Sequence, residues 1–297
     1  MNIALHDSEG MKFPNLALMK ISAWHKANGD RVEWFNALMS DEYDKIYSAK
    51  VFTFTPVDPY LPDRAIRGGT GYGLKTELPP EIEHIRPDYD LYPQSDFALG
   101  FLTRGCIRQC PWCIVPKKEG SIREHAFFEE FARHDTRNIV FMDNNVLAHE
   151  HGLREIERLA DSGYKVDFNQ GLDARLIGAN PDIAKRLAAL KWYKPLRLAC
   201  DKSSQMPHVE KAAGLLRSFG CKPSIFSCYV LVTDIEDAYR RVEFLRRLNI
   251  DPFAQPYRDF EKNLPPSREQ RRFARWVNHK AIFKTVAWKD YLYGKAI

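Results

Sequence analysis

The chain has 297 residues, and its 44% of hydrophobic and 12% of aromatic residues can fill a large core. This composition excludes a disordered, collagen-like or coiled-coil chain; with no run of about 20 apolar residues and no signal peptide, it predicts a cytoplasmic protein without membrane contact. The net charge of +5 is uneven, because residues 257–297 contain ten Lys or Arg and four Asp or Glu, so any polyanion contact is expected there.

A small Rossmann-like α/β domain with a Pro- and Gly-rich connector is predicted for residues 1–95. Alternating short apolar strands with one helix predicts parallel strand pairing. The connector has seven prolines, and its four glycines match neither the Walker A nor the dinucleotide-binding spacing. The predicted elements are strands at 2–6, 31–36 and 45–54, a helix at 13–27, and the connector at 55–95.

Six strands, each of the first five followed by a helix, are predicted for residues 96–260. Such a series gives a parallel sheet that can curl into a partial (βα)6 barrel of the TIM type, with its chemistry at the carboxyl ends of the strands. Residues 261–297 are predicted to form a basic helical extension with a helix over 268–284. The predicted strands are 98–103, 138–142, 165–169, 196–200, 223–232 and 253–257, and the helices are 122–133, 150–162, 181–190, 208–219 and 235–248.

Three of the six cysteines lie within eight residues, directly after the first strand of this series. Cys106, Cys110 and Cys113 have C-x3-C-x2-C spacing, which in a reducing compartment indicates a metal or catalysis. Three thiolates can bind three irons of a [4Fe–4S] cluster and leave the fourth iron open. Zinc is the alternative, but it requires a fourth Cys or His, and the nearest histidine, His125, is placed on the next helix. The dispersed cysteines are predicted to be small core residues: Cys200, Cys221 and Cys228.

The cysteine pattern, with Trp112 as the aromatic residue before the third cysteine, resembles the signature of radical SAM enzymes. The resemblance covers residues 97–257. It implies a [4Fe–4S] cluster whose open iron binds S-adenosylmethionine (SAM), and a 5′-deoxyadenosyl radical that abstracts hydrogen from a substrate. It also implies a reductase, flavodoxin or ferredoxin as electron donor. The sequence identifies neither the substrate nor a catalytic residue.

The resemblance further implies SAM-binding side chains at the carboxyl ends of the second and third strands. Asp143 and Asn144 stand where the family carries a polar motif for the methionine ammonium, although the same pair suits a helix N-cap. Arg175 is expected to bind the methionine carboxylate, unless it forms a salt bridge with Asp173.

Further cofactor contacts are predicted around the same rim. Asn169, Gln170 and Asp173 are placed near the ribose hydroxyls, and the sixth strand near the adenine. Tyr257 and Arg258, which follow that strand, suit a stacked surface pair equally well. The remaining predicted rim residues are Asp201 and Ser203 after the fourth strand and Gln255 in the sixth.

The N-terminal layout resembles a shortened cobalamin-binding radical SAM protein, including Gly68-Gly69 and Pro79-Pro80. The D-x-H-x-x-G cobalt-ligand motif is absent, so cobalamin is not expected, and binding without a protein ligand stays open. The segment 113–116, followed by Gly120, resembles the cluster loop of tRNA methylthiotransferases. Residues 1–105 contain no cysteine for the second cluster of those enzymes.

The basic extension raises a function of another class, a zinc-binding nucleic-acid-binding module. It also permits a radical SAM enzyme that acts on RNA or a nucleotide, because aromatic residues interleaved with Arg and Lys suit base stacking and phosphate contact. The reading that we favour is an amphipathic helix that closes the open edge of the barrel. The aromatic residues concerned are Phe273, Trp276, Phe283, Trp288, Tyr291 and Tyr293.

Overall fold

A computed structural model describes residues 1–292. Within them no helix is long and apolar enough to cross a membrane. In chain order the elements are β1 (Asn2–Asp7), α1 (Leu16–Ala27), β2 (Arg31–Trp34), β3 (Lys45–Ala49), β4 (Ile66–Gly68), α2 (Pro80–Glu83), β5 (Ala98–Gly100), β6 (Thr103–Arg104), α3 (Val115–Lys118), β7 (Arg123–Glu124), β8 (Asn138–Phe141), α4 (Glu150–Ser162), β9 (Lys165–Phe168), α5 (Ala174–Ala179), α6 (Pro181–Ala189), β10 (Lys191–Trp192), β11 (Leu196–Ala199), α7 (Met206–Ser218), β12 (Phe226–Val232), α8 (Ile235–Arg247), β13 (Asp251–Pro256), α9 (Arg268–Asn278), α10 (Lys280–Thr285) and α11 (Trp288–Leu292).

The N-terminal part forms a four-stranded sheet in the order β2-β1-β3-β4, with every pair parallel. Ile3 and Leu5 of β1 pack on Leu18 and Ile21 of α1, which explains the helical spacing of apolar residues in α1. The predicted parallel pairing is therefore confirmed. The connector is more ordered than its glycines suggested, because β4 extends the sheet beside β3.

The remaining long strands follow one another in space in the order of the chain. One sheet has the order β10-β9-β8-β5 and another has the order β11-β12-β13, all parallel. A parallel bridge between Leu172 and Leu198 joins the two sheets. The α/β class is thus confirmed, and the carboxyl ends of these strands lie along one edge.

The predicted helix at 122–133 is wrong. Residues 123–124 form β7, which pairs antiparallel with β6, and residues 128–130 form one 3-10 turn. His125 donates its backbone N–H to the carbonyl of Leu102 at 2.9 Å, and Phe128 and Phe131 are buried in the core. The apolar residues whose spacing indicated a helix are thus buried from an irregular segment. No long helix directly follows β5 within residues 1–292.

The predicted helix at 268–284 is broken at His279, whose φ of −88° and ψ of 90° are not helical. α10 therefore starts a new direction, and Phe283 packs edge-on against Trp276 with ring centroids 5.0 Å apart. Trp288 of α11 joins them, 5.5 Å from Trp276. Packing within this aromatic cluster stabilises the broken helix, because a continuous helix could not bring these three rings together.

A continuous core lies between the second strand series and its helices α4–α9. The buried Arg241 side chain ties three elements together, since it donates to the carbonyls of Cys200 at 2.7 Å and Leu231 at 2.9 Å and to the carboxylate of Asp237 at 2.8 Å. Burial raises the pKa of the Cys200 thiol to about 12. Its core position, like that of Cys221 and Cys228, confirms the prediction for the dispersed cysteines.

Candidate active site: the cysteine loop

The cysteine loop, residues 105–120, is closed at its base by a glycine with a left-handed backbone. Gly105 has a φ of +81°, and a Cβ there would lie 2.2 Å from the carbonyl oxygen of Ser121. The next residue, Cys106, donates its N–H to the carbonyl of Gly120 at 3.2 Å. Only glycine permits both the φ and this close approach of the two ends of the loop.

A buried carboxylate connects the loop to the end of β8. Glu119 accepts from the Gly105 N–H at 3.0 Å and pairs with Arg104 at 3.0 Å. It also accepts from the side-chain amide of Asn144 at 2.8 Å. The predicted cofactor residue Asn144 is therefore held against the cysteine loop by one of its amide hydrogens.

Asp143 is 3% exposed and holds the segment that precedes the loop. Its carboxylate accepts from the Leu102 N–H at 3.1 Å and from the N–H and hydroxyl of Thr103 at 2.6 and 2.7 Å. Burial raises the pKa of Asp143 to about 6, against the lowering effect of these hydrogen bonds. These contacts correspond neither to the predicted ammonium site nor to an N-cap, and they assign Asp143 to positioning the backbone.

Two N–H groups point at the sulfur of Cys106. The backbone N–H of Arg108 lies 3.3 Å from this sulfur, and the side-chain amide of Asn145 lies 3.5 Å from it. The Oδ1 atom of Asn145 is buried and has no hydrogen-bond partner among residues 1–292. Sequence reasoning missed Asn145, although it directly follows the predicted pair at the end of β8.

Cys110 and Cys113 are partly buried, and burial raises the pKa of both thiols. The positive charge of Arg175 opposes this effect at Cys110, whereas the neighbouring cysteines and Asp201 reinforce it. Cys110 and Cys106 likewise raise the pKa of Cys113. Ionisation of all of them at once needs a cation, because their like charges repel.

Arg175 forms the salt bridge that was the alternative to its cofactor role. Its Nε lies 2.7 Å from Asp173, which also caps the N-terminus of α5. Arg108 of the cysteine loop binds the same carboxylate at 2.9 Å. Burial alone would raise the pKa of Asp173, but the two guanidinium groups lower it. The loop is thus fastened to the segment that follows β9.

The end of β11 contacts the loop from another side. The ammonium of Lys202 lies 4.7 Å from the centroid of the Trp112 ring. Asp201 accepts from the Leu231 N–H at 3.2 Å, and burial raises its pKa. The nearby Ser203 donates to Asp237 at 2.5 Å, so its hydroxyl is engaged away from the loop.

The remaining predicted residues are less closely placed. Gln170 donates to the side chain of Asn169 at 3.0 Å, and both Gln170 and Gln255 are exposed. Arg258 stacks on the ring of Phe54, 4.3 Å from its centroid. The predicted pair of Arg258 with Tyr257 is therefore replaced by a contact with the N-terminal part.

The comparisons with known proteins add no family. No family model matches the chain, and a search of curated proteins finds no match. Within residues 1–292, no three His, Cys, Asp or Glu side chains are grouped as a site for a metal ion. His125, the histidine nearest to the loop in sequence, pairs instead with Glu83 at 3.3 Å.

The aromatic residues of the basic extension lie mostly inside the protein. Four of them, Phe273, Trp276, Phe283 and Trp288, are buried, and Tyr293 lies outside the described residues. Asn278 of α9 exchanges two hydrogen bonds with the backbone of Ala254 in the edge strand β13, at 2.8 and 2.9 Å. This packing agrees with the amphipathic helix that we favoured for this segment.

Proposed function

We propose that the protein is a radical SAM enzyme with a [4Fe–4S] cluster held by Cys106, Cys110 and Cys113. The observation that carries this proposal is the position of the three-cysteine loop, which lies at the carboxyl edge of a parallel strand series and has no fourth thiol. The two N–H groups directed at the sulfur of Cys106 support it further, because hydrogen bonds to ligand sulfurs stabilise clusters and tune their potential.

We further infer that the strand series is a partial (βα)6 barrel. In support, its strands are parallel and in chain order, and the bridge between Leu172 and Leu198 makes the two sheets continuous. The packing of α9 on β13 covers one edge of the series. In such barrels the carboxyl ends of the strands converge on one rim, where the cysteine loop belongs.

The side chains fit a cluster better than zinc. A structural zinc site needs four donors that converge on one ion, and the nearest histidine in sequence is already paired with Glu83. A cubane cluster accepts each thiolate at a different iron, so the three sulfurs need not meet at a point.

Cys106, Cys110 and Cys113 would hold the cluster, which would supply the electron for reductive cleavage of SAM and so the radical chemistry of hydrogen abstraction. The chain contributes binding and orientation. Arg175 and Arg108, both paired with Asp173, hold the loop against the segment that follows β9. Asn145 replaces Asp143 as the acceptor for an ammonium, because its buried Oδ1 is unpaired within residues 1–292 and its amide is fixed by Cys106.

A second candidate concerns the substrate, and two aromatic–cation pairs favour a nucleotide or RNA. Lys202 lies over Trp112, and Arg258 lies over Phe54, which is about half exposed. Rings of this kind stack on bases while the cations contact phosphates. Because no cysteine precedes residue 106, the second cluster of the methylthiotransferases has no thiol ligands in the N-terminal part.

The test is anaerobic reconstitution with iron and sulfide, followed by reduction in the presence of SAM. We expect about four irons per chain from the cluster stoichiometry, and 5′-deoxyadenosine detected by mass spectrometry. The triple variant Cys106→Ala, Cys110→Ala, Cys113→Ala should lose both signals, whereas Cys221→Ala, outside the loop, should keep them. One zinc per chain with no 5′-deoxyadenosine would overturn the proposal in favour of the zinc module.

The role of Asn145 gives a more local prediction. Asn145→Ala removes the N–H donor to Cys106 and the buried acceptor, so we expect SAM affinity to fall by about tenfold or more, since a hydrogen bond to a charged group contributes ~1.5–3 kcal/mol. The midpoint potential of the cluster should shift as well. Equilibrium binding and a redox titration measure both effects, and an unchanged affinity and potential would refute this role.

A further inference from the structure

A second polar site lies in the N-terminal sheet, away from the cysteine loop. His6 of β1 and Ser48 of β3 are direct neighbours in the parallel register. The pairing continues one residue past β1, since the Ser8 N–H donates to the carbonyl of Ala49, the last residue of β3, at 3.0 Å. Because side chains alternate between the faces of a sheet, Ser8 and Lys50 are the next neighbours on that face, at its carboxyl edge.

The inner part of this face carries a complete hydrogen-bond network. His6 Nδ1 lies 2.9 Å from the hydroxyl of Ser48, and His6 Nε2 lies 3.2 Å from the carboxylate of Asp58. The hydroxyl of Tyr72 reaches the same Ser48 oxygen at 2.9 Å. Asp58 and Tyr72 come from the connector, which therefore covers this face of the sheet.

Lys50, next to this network, has a buried stem, and its ammonium has no counter-charge within residues 1–292. The residue is 5% exposed, and its ammonium lies 5.3 Å from the centroid of the Tyr72 ring. Within the described part of the chain, this ammonium forms no ion pair and donates no hydrogen bond. An ammonium without a carboxylate partner, held beside a polar network, is available to an anionic ligand.

The glycines of the connector hold the Lys50 side chain in place. A Cβ on Gly69, whose φ is +92°, would lie 2.5 Å from the Lys50 carbonyl oxygen. A Cβ on Gly71 would lie 2.4 Å from Lys50 Cγ. The loop therefore wraps tightly around the stem of this lysine and fixes the direction of its ammonium, which is what a preorganised binding group requires.

Two unpaired hydroxyls belong to the same corner. The side-chain oxygens of Ser8 and Thr53 are buried and have no hydrogen-bond partner among residues 1–292. Glu9 joins their two segments, because its carboxylate accepts from the Val51 N–H at 3.1 Å and from the Thr55 hydroxyl at 2.9 Å. Buried polar groups normally have partners, so two orphaned hydroxyls beside an unpaired lysine indicate a ligand.

We propose that Ser8, Lys50 and Thr53 bind the phosphate group of a small phosphorylated molecule. The three side chains supply an ammonium and two hydroxyl donors, and a phosphate offers three strongly accepting oxygens where a carboxylate offers two. Ligands of open parallel α/β sheets bind at the carboxyl ends of the strands, where this corner lies. The proposal is independent of the iron–sulfur chemistry proposed above.

The test is a thermal-shift and calorimetric titration of the full chain with inorganic phosphate, pyrophosphate and AMP. Sodium acetate and sodium chloride at the same ionic strength are the controls. We expect a saturable rise in Tm with phosphate, because a ligand that binds only the folded state stabilises it. Tighter binding of pyrophosphate than of AMP would indicate a diphosphate as the natural ligand, and the opposite order would indicate a nucleotide. A rise that acetate or chloride reproduces would overturn the proposal.

The variants separate binding from folding. Lys50→Met should abolish the phosphate effect and Lys75→Met, on an exposed part of the same connector, should retain it. The double variant Ser8→Ala, Thr53→Val removes two buried orphan hydroxyls, so without phosphate its Tm should equal or exceed that of the natural chain. With phosphate its affinity should be weaker by about tenfold or more. Equal phosphate affinity in the double variant would refute the site, even if Lys50→Met fails to fold.

Discussion

At the scale of single residues, buried polar groups define the candidate site more clearly than exposed ones. Asp143 and Asn145 are two residues apart at the end of β8, and both are buried, but their hydrogen bonding differs. The first has three donors around its carboxylate, and the second has an unpaired oxygen. The resemblance indicated Asp143 and Asn144 by their place after the second strand, and it could not show that Thr103, 40 residues earlier, already donates to the Asp143 carboxylate.

Asp143 gives a prediction about pH. Its pKa is raised to about 6 in the folded chain, so between the unfolded value and pH 6 the folded state binds more protons than the unfolded state. The free energy of unfolding contributed by this group therefore falls as pH rises from about 4 to 6 and then levels off. The free energy of unfolding, measured with urea at several pH values, should fall more steeply between about pH 4 and 6 in the natural protein than in the Asp143→Asn variant. Parallel pH profiles for the two proteins would contradict the buried, proton-binding carboxylate.

At the scale of elements, the cysteine loop depends on its glycine hinge. Gly105→Ala should lower the free energy of unfolding by about 2 kcal/mol or more, because a left-handed φ and a backbone clash are both imposed. Gly163→Ala is the matched control, since its φ of +79° is similar but nothing lies within 4 Å of the added Cβ. It should cost only about 1 kcal/mol. Urea unfolding measures both, and equal losses would show that the clash with Ser121 is relieved without cost.

Elements formed by local patterns were predictable, and those formed by distant contacts were not. α4 was predicted with its observed bounds because a regular apolar stripe runs between a strand and the C-capping Gly163. The segment at 122–133 also has apolar spacing, but its backbone is irregular and is hydrogen-bonded to Leu102. Phe128 and Phe131 are buried in the core without a helix. Likewise, the break at His279 is accompanied by packing among Trp276, Phe283 and Trp288, which are distant in the sequence pattern of a single helix.

At the scale of the whole molecule, the two parts of the chain are joined by buried hydrogen bonds. Tyr89 donates its hydroxyl to the carbonyl of Phe131 at 2.6 Å and accepts the Leu99 N–H at 3.1 Å. Burial raises the pKa of this phenol to about 12, so it remains a donor at every ordinary pH. Within the N-terminal part, a second tyrosine, Tyr92, donates to the buried Asp7 of the first sheet at 2.7 Å and so ties the connector to that sheet.

Tyr89→Phe should therefore lower the free energy of unfolding by about 1–3 kcal/mol, because it leaves a buried N–H and a buried carbonyl without their partner. Tyr60→Phe, at a side chain that is 73% exposed, should change it little. Both variants are compared by urea unfolding followed by circular dichroism and tryptophan fluorescence. If Tyr60→Phe lowered the free energy of unfolding as much as Tyr89→Phe, the hydrogen bonds of Tyr89 to Phe131 and Leu99 would make no specific contribution.

The missing helix after β5 has a consequence for how the chain can be divided. The place where a covering helix would lie is lined by Phe131, whose ring packs on Gly100, and it is closed by the connector through Tyr89 and through Arg86, which donates to the Ala132 carbonyl at 2.7 Å. The first ninety residues thus cover the side of β5 that a helix covers in the other repeats of the strand series. A shortened protein that starts at residue 96 would expose this apolar surface. During synthesis the order is the reverse, because residues 1–95 leave the ribosome before the surface that they cover.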